Sequence, residues 1–579
     1  MLSLSETSTR LVVRGERSDI ETVRDRLRFN PPEYWRSPKY QQWKRTRGEK
    51  GWNGTITLLK WRGRSGVAEA LRGHQDRVLR AAVQDGVVVE WLRRPRPFAG
   101  LTIDDVPDDL LRGLTLDIDQ RTCVLELLKE GFGTVEVTVS GGKTAVFFAL
   151  LLMIRRRYPD ARFLYVTPSE RLVRQIVKEA AKLMPGVRVS QFGGGTRELG
   201  GRDMVVATLQ SLNVNLEDLA TSGWLKSFLG LLYDEVHHAG SPSSMKVVLA
   251  IPAFFRFGAS DSVKDRAKED MMRGLDIEGL FGPPRHRVTM APLIEVGRVA
   301  KPTLYLVDDE SWTDRFQLLP QSPRRGSPAW CLMPEGWQRG TYAGPVYERS
   351  EDGRIAKDKD GNSVVLPSYH AIRLKGDYPG VYEVESRWCL LHRPLDEGVV
   401  HFVPRNKLVV AWAVSFSAKG WPTLVVATRT LHVLILEQML AEAGLNEVRA
   451  LVGDDSPKKR DETFEWLVST PGAVLVSPLV KEGVSLPELK AGVVADYVAG
   501  PDVARQIIGR FIRRKPEGEN EASIVFFVDR QTSAMRRGSL ALVNQLNKVR
   551  GFTFFWPCGG PEVVGARYEA VDMDPGKDL

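Results

Sequence analysis

Short apolar runs alternate with amphipathic segments along the chain from Leu114 onward. The run TVEVTV (134–139) predicts a strand, and KTAVFFALLLMIRRRY (143–158) after it predicts a helix that ends in a basic turn. RFLYVTP, MVVATLQ and LGLLYDE predict further strands, with an amphipathic helix between the first two. This alternation is typical of a parallel sheet flanked by helices.

A second series of the same kind starts at PTLVVATRT (422–430) and continues through AVLVSPL, AGVVADYV and ASIVFFVD. Two series of this size suggest a pair of RecA-like motor domains. We therefore predict the α/β class, with tandem parallel-sheet motor domains over residues 99–300 and 301–550 and a C-terminal tail over 551–579.

The stretch between the two series has a different composition. Residues 312–382 are rich in Trp, Tyr, Gly and Pro and carry Asp-Gly turn signals at 352–353 and 360–361. They predict a small β-rich insertion with hairpins, placed within the second motor domain.

The overall composition is that of an ordinary globular protein, with 43% hydrophobic and 26% charged residues. No apolar run reaches the roughly 18 residues that span a bilayer, so no membrane partner is expected. The N-terminus lacks the basic and then apolar order of a secretory signal. We therefore expect a cytoplasmic protein, in the host cytoplasm if it is phage-encoded. The four cysteines form no C-x-x-C pair, which argues against a zinc ribbon and a disulfide scaffold.

The net positive charge of the chain lies in its first hundred residues, which hold 21 Lys and Arg against 11 Asp and Glu. The other 479 residues hold 60 against 61. Clustered cations gain affinity for nucleic acid by releasing counterions from its phosphates. We therefore predict a small α+β DNA-binding domain over residues 1–98, with a merely basic, soluble surface as the alternative. The candidate contacts lie in one short segment: Lys44, Arg45, Arg47, Lys50 and Trp52.

The segment VTVSGGKT matches the phosphate-loop pattern G-x-x-x-x-G-K-[ST] at Gly142, Lys143 and Thr144, with a valine at the first glycine position. The backbone N–H groups from Ser140 through Gly141 to Thr144 would face the phosphates. Lys143 would neutralise the β and γ oxygens, and the Thr144 hydroxyl would bind Mg²⁺. The alternative is a helix that happens to start after two glycines.

A pair of acids follows in LLYDEVHH, where Asp234 and Glu235 stand side by side at the end of an apolar strand. Asp234 would hold the metal through water, and Glu235 would polarise the attacking water. Paired acids after a strand are otherwise often a helix cap. Together with a phosphate-loop lysine they complete an ATPase site.

An arginine pair lies in QIIGRFIRR (506–514), which predicts a helix with Arg510 and Arg513 on one face. Both would then reach a shared γ-phosphate site from the second motor domain. The alternative is the solvated face of an Arg-rich helix.

In this order the motifs resemble those of the superfamily 2 helicases of DExH type. VTVSGGKT is similar to motif I, whose first glycine is ordinarily alanine in that family, DEVH to motif II, and QIIGRFIR to motif VI. FGASDS is similar to motif III, with an unusual Asp261. The resemblance implies ATP and Mg²⁺ as cofactors, a catalytic role for Gln506 of motif VI, and an adenine contact for Gln120.

Four more segments of this resemblance imply a nucleic-acid track. LYVTPSERLVRQ and VVATLQSL are similar to motifs Ia and Ib, and VVATRT and LVSPLVKEGVSLPEL to motifs IV and V, the last with Ser485 where many relatives have Asp. In the family these motifs contact the sugar-phosphate backbone, so binding would not depend on sequence. The residues implied are Arg171, Thr208, Thr428, Arg429, Ser477 and Gly483.

The segment YQQWKRTRGEKGWNGTITLLKW (40–61) is similar to the N-terminal domain of the UvsW-like helicases of phages. This resemblance implies an ATP-dependent DNA helicase or translocase on branched or duplex DNA, in replication, recombination or repair. Fork regression, branch migration and the unwinding of R-loops, with their RNA hybrids, are the implied reactions. An RNA helicase is the alternative within the same class. An ATP-gated nucleic-acid clamp or defence sensor that does not unwind is the alternative of another class.

Overall fold

A computed structural model describes residues 1–31, 34–36, 38–63, 66–138, 141–193, 196–197, 201–261, 271–308, 328–333, 336–347, 356–357, 365–374, 381–385, 395–453, 455–478, 488–498, 501–515, 520–547, 549, 551–556, 561 and 566–569. Ser140, Gly483 and the two Asp-Gly turn signals lie outside the described residues. The chain divides into two compact units, Met1–Thr289 and Met290–Leu579. Within the described residues, every helix is too short or too polar to cross a bilayer.

The N-terminal residues form an α+β domain. Its strands are β1 (Leu2–Glu6), β2 (Arg10–Gly15), β3 (Arg28–Phe29), β4 (Ile56–Thr57), β5 (Lys60–Trp61), β6 (Val67–Leu71) and β7 (Val89–Arg93). Its helices are α1 (Arg17–Arg26), α2 (Pro38–Arg45) and α3 (Gln75–Gln84). Five strands form a mixed sheet in the order β5-β6-β2-β1-β7, with β1 and β7 parallel. Leu4, Val13, Ile20 and Val78 are fully buried in its core.

A second sheet in the first unit is almost entirely parallel. Its strands are β8 (Phe132–Val137), β9 (Phe163–Thr167), β10 (Val189–Gly193), β11 (Thr196–Arg197), β12 (Met204–Thr208), β13 (Gly230–Asp234), β14 (Phe255–Ser260) and β15 (Pro284–Val288). The order is β11-β10-β12-β9-β13-β14-β8-β15, and only β11 pairs antiparallel. Every residue of β9, β12 and β13 is buried, because helices cover both faces.

The helices of this sheet follow its strands in alternation. They are α4 (Ile118–Glu130), α5 (Lys143–Arg157), α6 (Glu170–Leu183), α7 (Leu209–Val214), α8 (Leu216–Thr221), α9 (Pro242–Ala250) and α10 (Met271–Phe281).

The second unit contains two sheets. Its strands are β16 (Lys301–Asp308), β17 (Pro328–Met333), β18 (Gly336–Tyr347), β19 (Val365–Leu374), β20 (Val381–Glu385), β21 (Thr423–Val426), β22 (Val448–Ala450), β23 (Val474–Ser477), β24 (Ala491–Val494), β25 (Glu521–Val528), β26 (Thr553–Trp556) and β27 (Ala566–Glu569). The larger sheet has the order β22-β23-β21-β24-β25-β16-β26-β27, in which only β27 is antiparallel. Strands β17 to β20 form an antiparallel sheet of their own.

The helices of the second unit cover its larger sheet. They are α11 (Met290–Glu295), α12 (Val403–Ser417), α13 (Thr430–Glu442), α14 (Pro457–Ser469), α15 (Pro501–Phe511) and α16 (Ser533–Leu546).

The predicted fold class is confirmed. Two tandem RecA-like domains, each with seven parallel strands and one antiparallel edge strand, follow an α+β domain, and a β-rich insertion interrupts the second. The domain boundaries stay predictions. The stretch 551–579, expected as a tail, contributes β26 and β27 to the second motor sheet.

Buried ion pairs join the N-terminal domain to the first motor domain. Arg72, only 1% exposed, donates to the Phe254 carbonyl at 2.6 Å and to the Glu6 carboxylate at 3.3 Å. Arg96 donates to both oxygens of Glu6 at 2.8 Å and to Glu130 at 3.1 Å. Removing one partner of such a buried cluster costs about 3–5 kcal/mol, because it leaves an uncompensated charge.

A second contact joins α3 and the short turn before it to α10. Arg77 donates twice to the Glu278 carboxylate, at 2.6 and 2.7 Å. A Cβ atom at Gly73 would lie 1.7 Å from the Glu278 carbonyl oxygen, so only glycine permits this approach. These two contacts explain why the N-terminal domain and the first motor domain form one compact unit.

Candidate active site

The phosphate loop connects β8 to α5 at the carboxyl edge of the first motor sheet. Gly142, the residue before α5, has a φ of +86°, and no described side chain caps the helix, so its first-turn N–H groups can face an anion. A Cβ atom at Gly142 would lie 2.1 Å from Nε2 of Gln120. Backbone conformation and close packing therefore both require glycine here. Lys143 and Thr144 open the helix, as the sequence predicts.

The Gln120 side chain packs against the phosphate loop and is hydrogen-bonded to it. Its side-chain nitrogen donates to the Gly141 carbonyl at 3.2 Å, and its oxygen accepts from the Asp117 N–H at 3.1 Å. The residue is only 4% exposed. The structure therefore places Gln120 in the wall of the loop, and its predicted adenine contact stays a prediction.

The acid pair lies opposite the loop, at the end of β13. Nζ of Lys143 donates to Oε1 of Glu235 at 2.6 Å. Glu235 has a φ of +51°, a left-handed conformation that is uncommon for residues other than glycine. This turn of the backbone follows Asp234, the last residue of β13. The structure thus brings together the lysine and both acids predicted from the sequence.

A second layer of hydrogen bonds fixes the other oxygen of Glu235. The Ser260 hydroxyl donates to Oε2 of Glu235 at 3.3 Å, and Nδ1 of His237 lies 2.7 Å from that hydroxyl. His237 is 6% exposed. Ser260 ends β14 and Asp261 follows it, so motif III contacts motif II through side chains. Glu235, His237 and Asp261 each bring one ligand atom within 4.8 Å of the others.

The charges in this site depend on one another. Burial raises the pKa of Asp234, and the Lys143 ammonium offsets only part of that effect. Burial also opposes ionisation of Glu235, but Lys143 and His237 outweigh it and hold the pKa of that carboxyl well below its usual range. Lys143 in turn has a pKa above its ordinary value, because the surrounding carboxylates outweigh its burial. Lys143 and Glu235 therefore form a charged pair at neutral pH.

These groups fit a nucleoside triphosphate with Mg²⁺. The free N–H groups of the first turn of α5 and the lysine ammonium suit phosphate oxygens. The Thr144 hydroxyl and the Asp234 carboxylate are oxygen ligands, which Mg²⁺ prefers. Ser140, the remaining loop residue, lies outside the described residues.

The arginine pair of motif VI does not lie on one helix. Helix α15 carries Arg510 and ends at Phe511, whereas Arg513 lies beyond it in an isolated β-bridge with Val299. The prediction of one shared helical face is therefore wrong. Lys515, only 6% exposed, lies just beyond the helix end, where its Nζ donates to the carbonyl oxygens of Phe511 and Leu489.

Three predicted residues meet within the second motor domain. Gln506 of α15 lines a cavity of about 350 Å³ together with Thr428 and Arg429, which follow β21. The same cavity is lined by Asp496, which follows β24 and which the sequence analysis missed. The sequence signal for Asp496 is an acid at or just after the end of an apolar strand, as at Asp234.

Two of the predicted nucleic-acid contacts are buried. Thr208 is 4% exposed, and its hydroxyl accepts from the Ser211 N–H at 3.1 Å to cap α7. Ser477, the last residue of β23, is fully buried. The structure does not support strand contacts through these two side chains. Arg171 lies in the first turn of α6, partly exposed.

The basic segment of the N-terminal domain is on the surface. Its four cations, Lys44, Arg45, Arg47 and Lys50, are exposed, and none forms an ion pair with a described residue. Tight turns hold the segment, with a φ of +49° at Arg47. Trp52 serves that fold, since its Nε1 donates to the Thr55 carbonyl at 2.7 Å.

Residues 115–260 match the family described as type III restriction enzyme, res subunit. This segment contains both the phosphate loop and the acid pair. The first motor domain is therefore similar to the motor domain of that family, and the protein is a nucleic-acid-dependent ATPase. No curated protein sequence matches the chain.

Solved structures with the same kind of architecture include bacteriophage T4 UvsW, at 15% identity over 96% of this chain and 98% of that one, with a TM-score of 0.38. The DNA-bound type ISP restriction-modification enzyme LlaBIII matches at 12% identity over 84% of this chain and 34% of that one, with a TM-score of 0.49. S. cerevisiae Dbp5, bound to RNA and ADP BeF3, matches at 11% identity over 77% of this chain and 91% of that one, with a TM-score of 0.46.

Proposed function

We propose that the protein is an ATP-dependent DNA helicase or translocase that acts on duplex and branched DNA. The observation that carries this proposal is the exposed segment from Lys44 to Lys50, whose four cations lack ion-pair partners among the described residues. The segment belongs to the same compact unit as the ATPase site. Unpaired cations in a cluster gain free energy by binding phosphates.

ATP use is assigned to the site at the carboxyl edge of the first motor sheet. Lys143, Thr144 and the first-turn N–H groups of α5 would hold the phosphates, and Asp234 would hold Mg²⁺ through water. Bound Mg²⁺ would offset the negative charge of the phosphate oxygens. Lys143 holds one oxygen of Glu235 in this structure. When the lysine moves to the phosphates, Glu235 is released to accept a proton from the attacking water.

The second motor domain would supply the remaining charges. Arg510 and Arg513 are proposed to offset charge that develops on the γ-phosphate. Because only Arg510 lies on α15, different backbone contacts place the two arginines. Arg171, Thr428 and Arg429 are proposed as contacts to the sugar-phosphate backbone, which gives binding without sequence preference.

The proposed reaction on branched DNA combines the basic N-terminal domain with the ATP-driven motor domains. A basic domain next to the motor would hold a duplex arm while ATP hydrolysis moves the strand. Regression of forks, migration of branches and removal of RNA from R-loops all need this combination. The resemblance of residues 40–61 to UvsW-like helicases supports the same reactions.

The test is ATP hydrolysis measured with single-stranded, duplex, forked and four-way DNA, and with matched RNA. Forked and four-way DNA should stimulate most, and RNA alone least. Strand displacement on the same forks then separates a helicase from a clamp. Stimulation by RNA but not by DNA would make the protein an RNA helicase and refute the proposal. Lys143→Ala is the control for contaminating ATPase.

A further inference from the structure

The second motor domain contains a cavity of about 350 Å³ at the carboxyl ends of β21, β23 and β24. Its walls are mainly aliphatic and include Val426, Val498 and Ile507, which are 2%, 8% and 5% exposed. This size falls within the range of about 300–1,000 Å³ seen for small-ligand sites. In open parallel sheets, ligands bind beyond the carboxyl ends of the strands.

Two polar side chains of this apolar cavity, Asp496 and Gln506, keep polar atoms that form no hydrogen bond with a described residue. Oδ2 of Asp496 accepts from the Thr428 N–H at 2.6 Å, but Oδ1 accepts no hydrogen bond from a described residue. Nδ1 of His432 lies 3.9 Å from Oδ1, which is within ion-pair range but too far for a hydrogen bond. The side-chain amide of Gln506 likewise bonds to no described residue. An apolar pocket with a few convergent polar groups is the usual form of a ligand site.

We propose that this cavity binds one nucleobase of the strand that the motor follows. The proposal rests on the proposed function, because Thr428 and Arg429, which line the cavity, are the predicted contacts to the strand backbone. A base is a flat and largely apolar ring that fills such a cavity. The free oxygen of Asp496 accepts a hydrogen bond from an exocyclic amino group, which adenine, cytosine and guanine carry and thymine and uracil lack.

The base therefore has to leave the stack of its strand to enter the cavity. Unstacking costs a few kcal/mol, which the apolar walls and the charged hydrogen bond offset. The pocket holds the strand at one nucleotide without reading an extended sequence. It favours single strands, in which the bases are already exposed.

The experiment compares two DNA homopolymers in a fluorescence-anisotropy titration of the full chain. One is oligodeoxycytidine, and the other carries pyrimidin-2-one, which is cytosine without its amino group. The wild type should bind the cytosine strand about tenfold more tightly, as expected for one hydrogen bond to a charged group. Asp496→Asn keeps an acceptor for the Thr428 N–H but turns an amide donor toward the base, so the preference should disappear.

A second variant fills the cavity instead of changing its chemistry. Val503 lines the cavity and is 40% exposed, so Val503→Phe can be accommodated by the fold. It should weaken binding of both strands and abolish the difference between them. Leu434→Phe is the matched control, on a residue that is 48% exposed and does not line the cavity. Thermal melting of each variant shows that it is folded.

Three results would overturn the inference: equal binding of the two strands by the wild type, a full preference in Asp496→Asn, or unchanged binding by folded Val503→Phe. Free deoxycytidine shares the chemistry of the base and serves as a competitor. Competition that Val503→Phe abolishes, without an effect on strand binding, would make the cavity a mononucleotide site. The proposed function is tested separately, by stimulation of wild-type ATPase with DNA, and it stands if only the pocket fails.

Discussion

In the proposed site, the Lys143–Glu235 pair would connect nucleotide binding with hydrolysis. Because the two side chains are bonded at 2.6 Å, each is the counter-ion of the other. Lys143→Ala should abolish ATP binding. Glu235→Gln should bind ATP at least as tightly as the wild type, since the lysine is released, but its turnover should fall by about 10²–10⁴-fold. Titration with a fluorescent ATP analogue and single-turnover hydrolysis measure the two effects. Wild-type turnover in either variant would refute the assigned site.

Lys515 should make the stability of the protein depend on pH. Burial lowers the pKa of Lys515 from 10.5 to about 7. Between these values the unfolded chain binds more protons than the folded one, so the lysine becomes less unfavourable as pH rises. Relative to Lys515→Met, the wild type should gain up to about 1.4 kcal/mol of stability per pH unit above 7. Thermal unfolding of both proteins from pH 7 to about 9 checks this. A stability difference between the wild type and Lys515→Met that does not change with pH would show that the lysine is already solvated.

At the scale of elements, the acid pair depends on how closely β13 and β14 approach. A Cβ atom at Gly258 would lie 2.6 Å from Cγ2 of Val236, the residue after Glu235. Gly258→Ala should therefore push the motif II turn away from Lys143, lowering turnover more than ATP binding. Overpacking of this kind also costs about 1–3 kcal/mol of stability. Gly186→Ala, which has no atom within 4 Å of its added Cβ, is the control.

The elements also show what a local pattern can predict. The phosphate loop and the acid pair each follow from elements that are adjacent in sequence, and the structure has Lys143 at the start of α5 and Asp234 at the end of β13. Beyond α15 the chain instead contacts segments that are distant in sequence: Arg513 pairs with Val299, and Lys515 bonds to the Leu489 carbonyl. A helix period extrapolated past Phe511 therefore gave a wrong position for Arg513.

At the scale of the whole molecule, the basic segment should govern the salt dependence of DNA binding. Replacing Lys44, Arg45, Arg47 and Lys50 with Gln should reduce the slope of log K against log salt by about 0.9 per lost duplex-phosphate contact. The free energy of unfolding should change little, because all four side chains are exposed. Neutralising Lys458 and Lys459, which pair with acids on the second motor domain, is the control. An unaltered slope would remove the segment from the DNA-binding surface.

The charge of the N-terminal domain could be predicted from the sequence, but its attachment to the first motor domain could not. Charge and alternating apolar positions can be counted along the chain. The partners of Arg72, however, lie 66 and 182 residues away, at Glu6 and Phe254, and no local pattern marks such pairs. The same holds for Asp496 and Gln506, which different elements bring to one cavity.

The attachment made by Arg72, Arg96 and Arg77 has a mechanical consequence for the proposed motor. A flexible linker would stretch under load and let the motor advance while the bound duplex stayed behind. The ion pairs of these arginines, together with Gly73 packed on the Glu278 backbone, resist such sliding until the whole cluster breaks. In the proposed function the basic segment would therefore turn with the first motor domain as one stiff lever, and force generated at the phosphate loop would reach the duplex arm without loss.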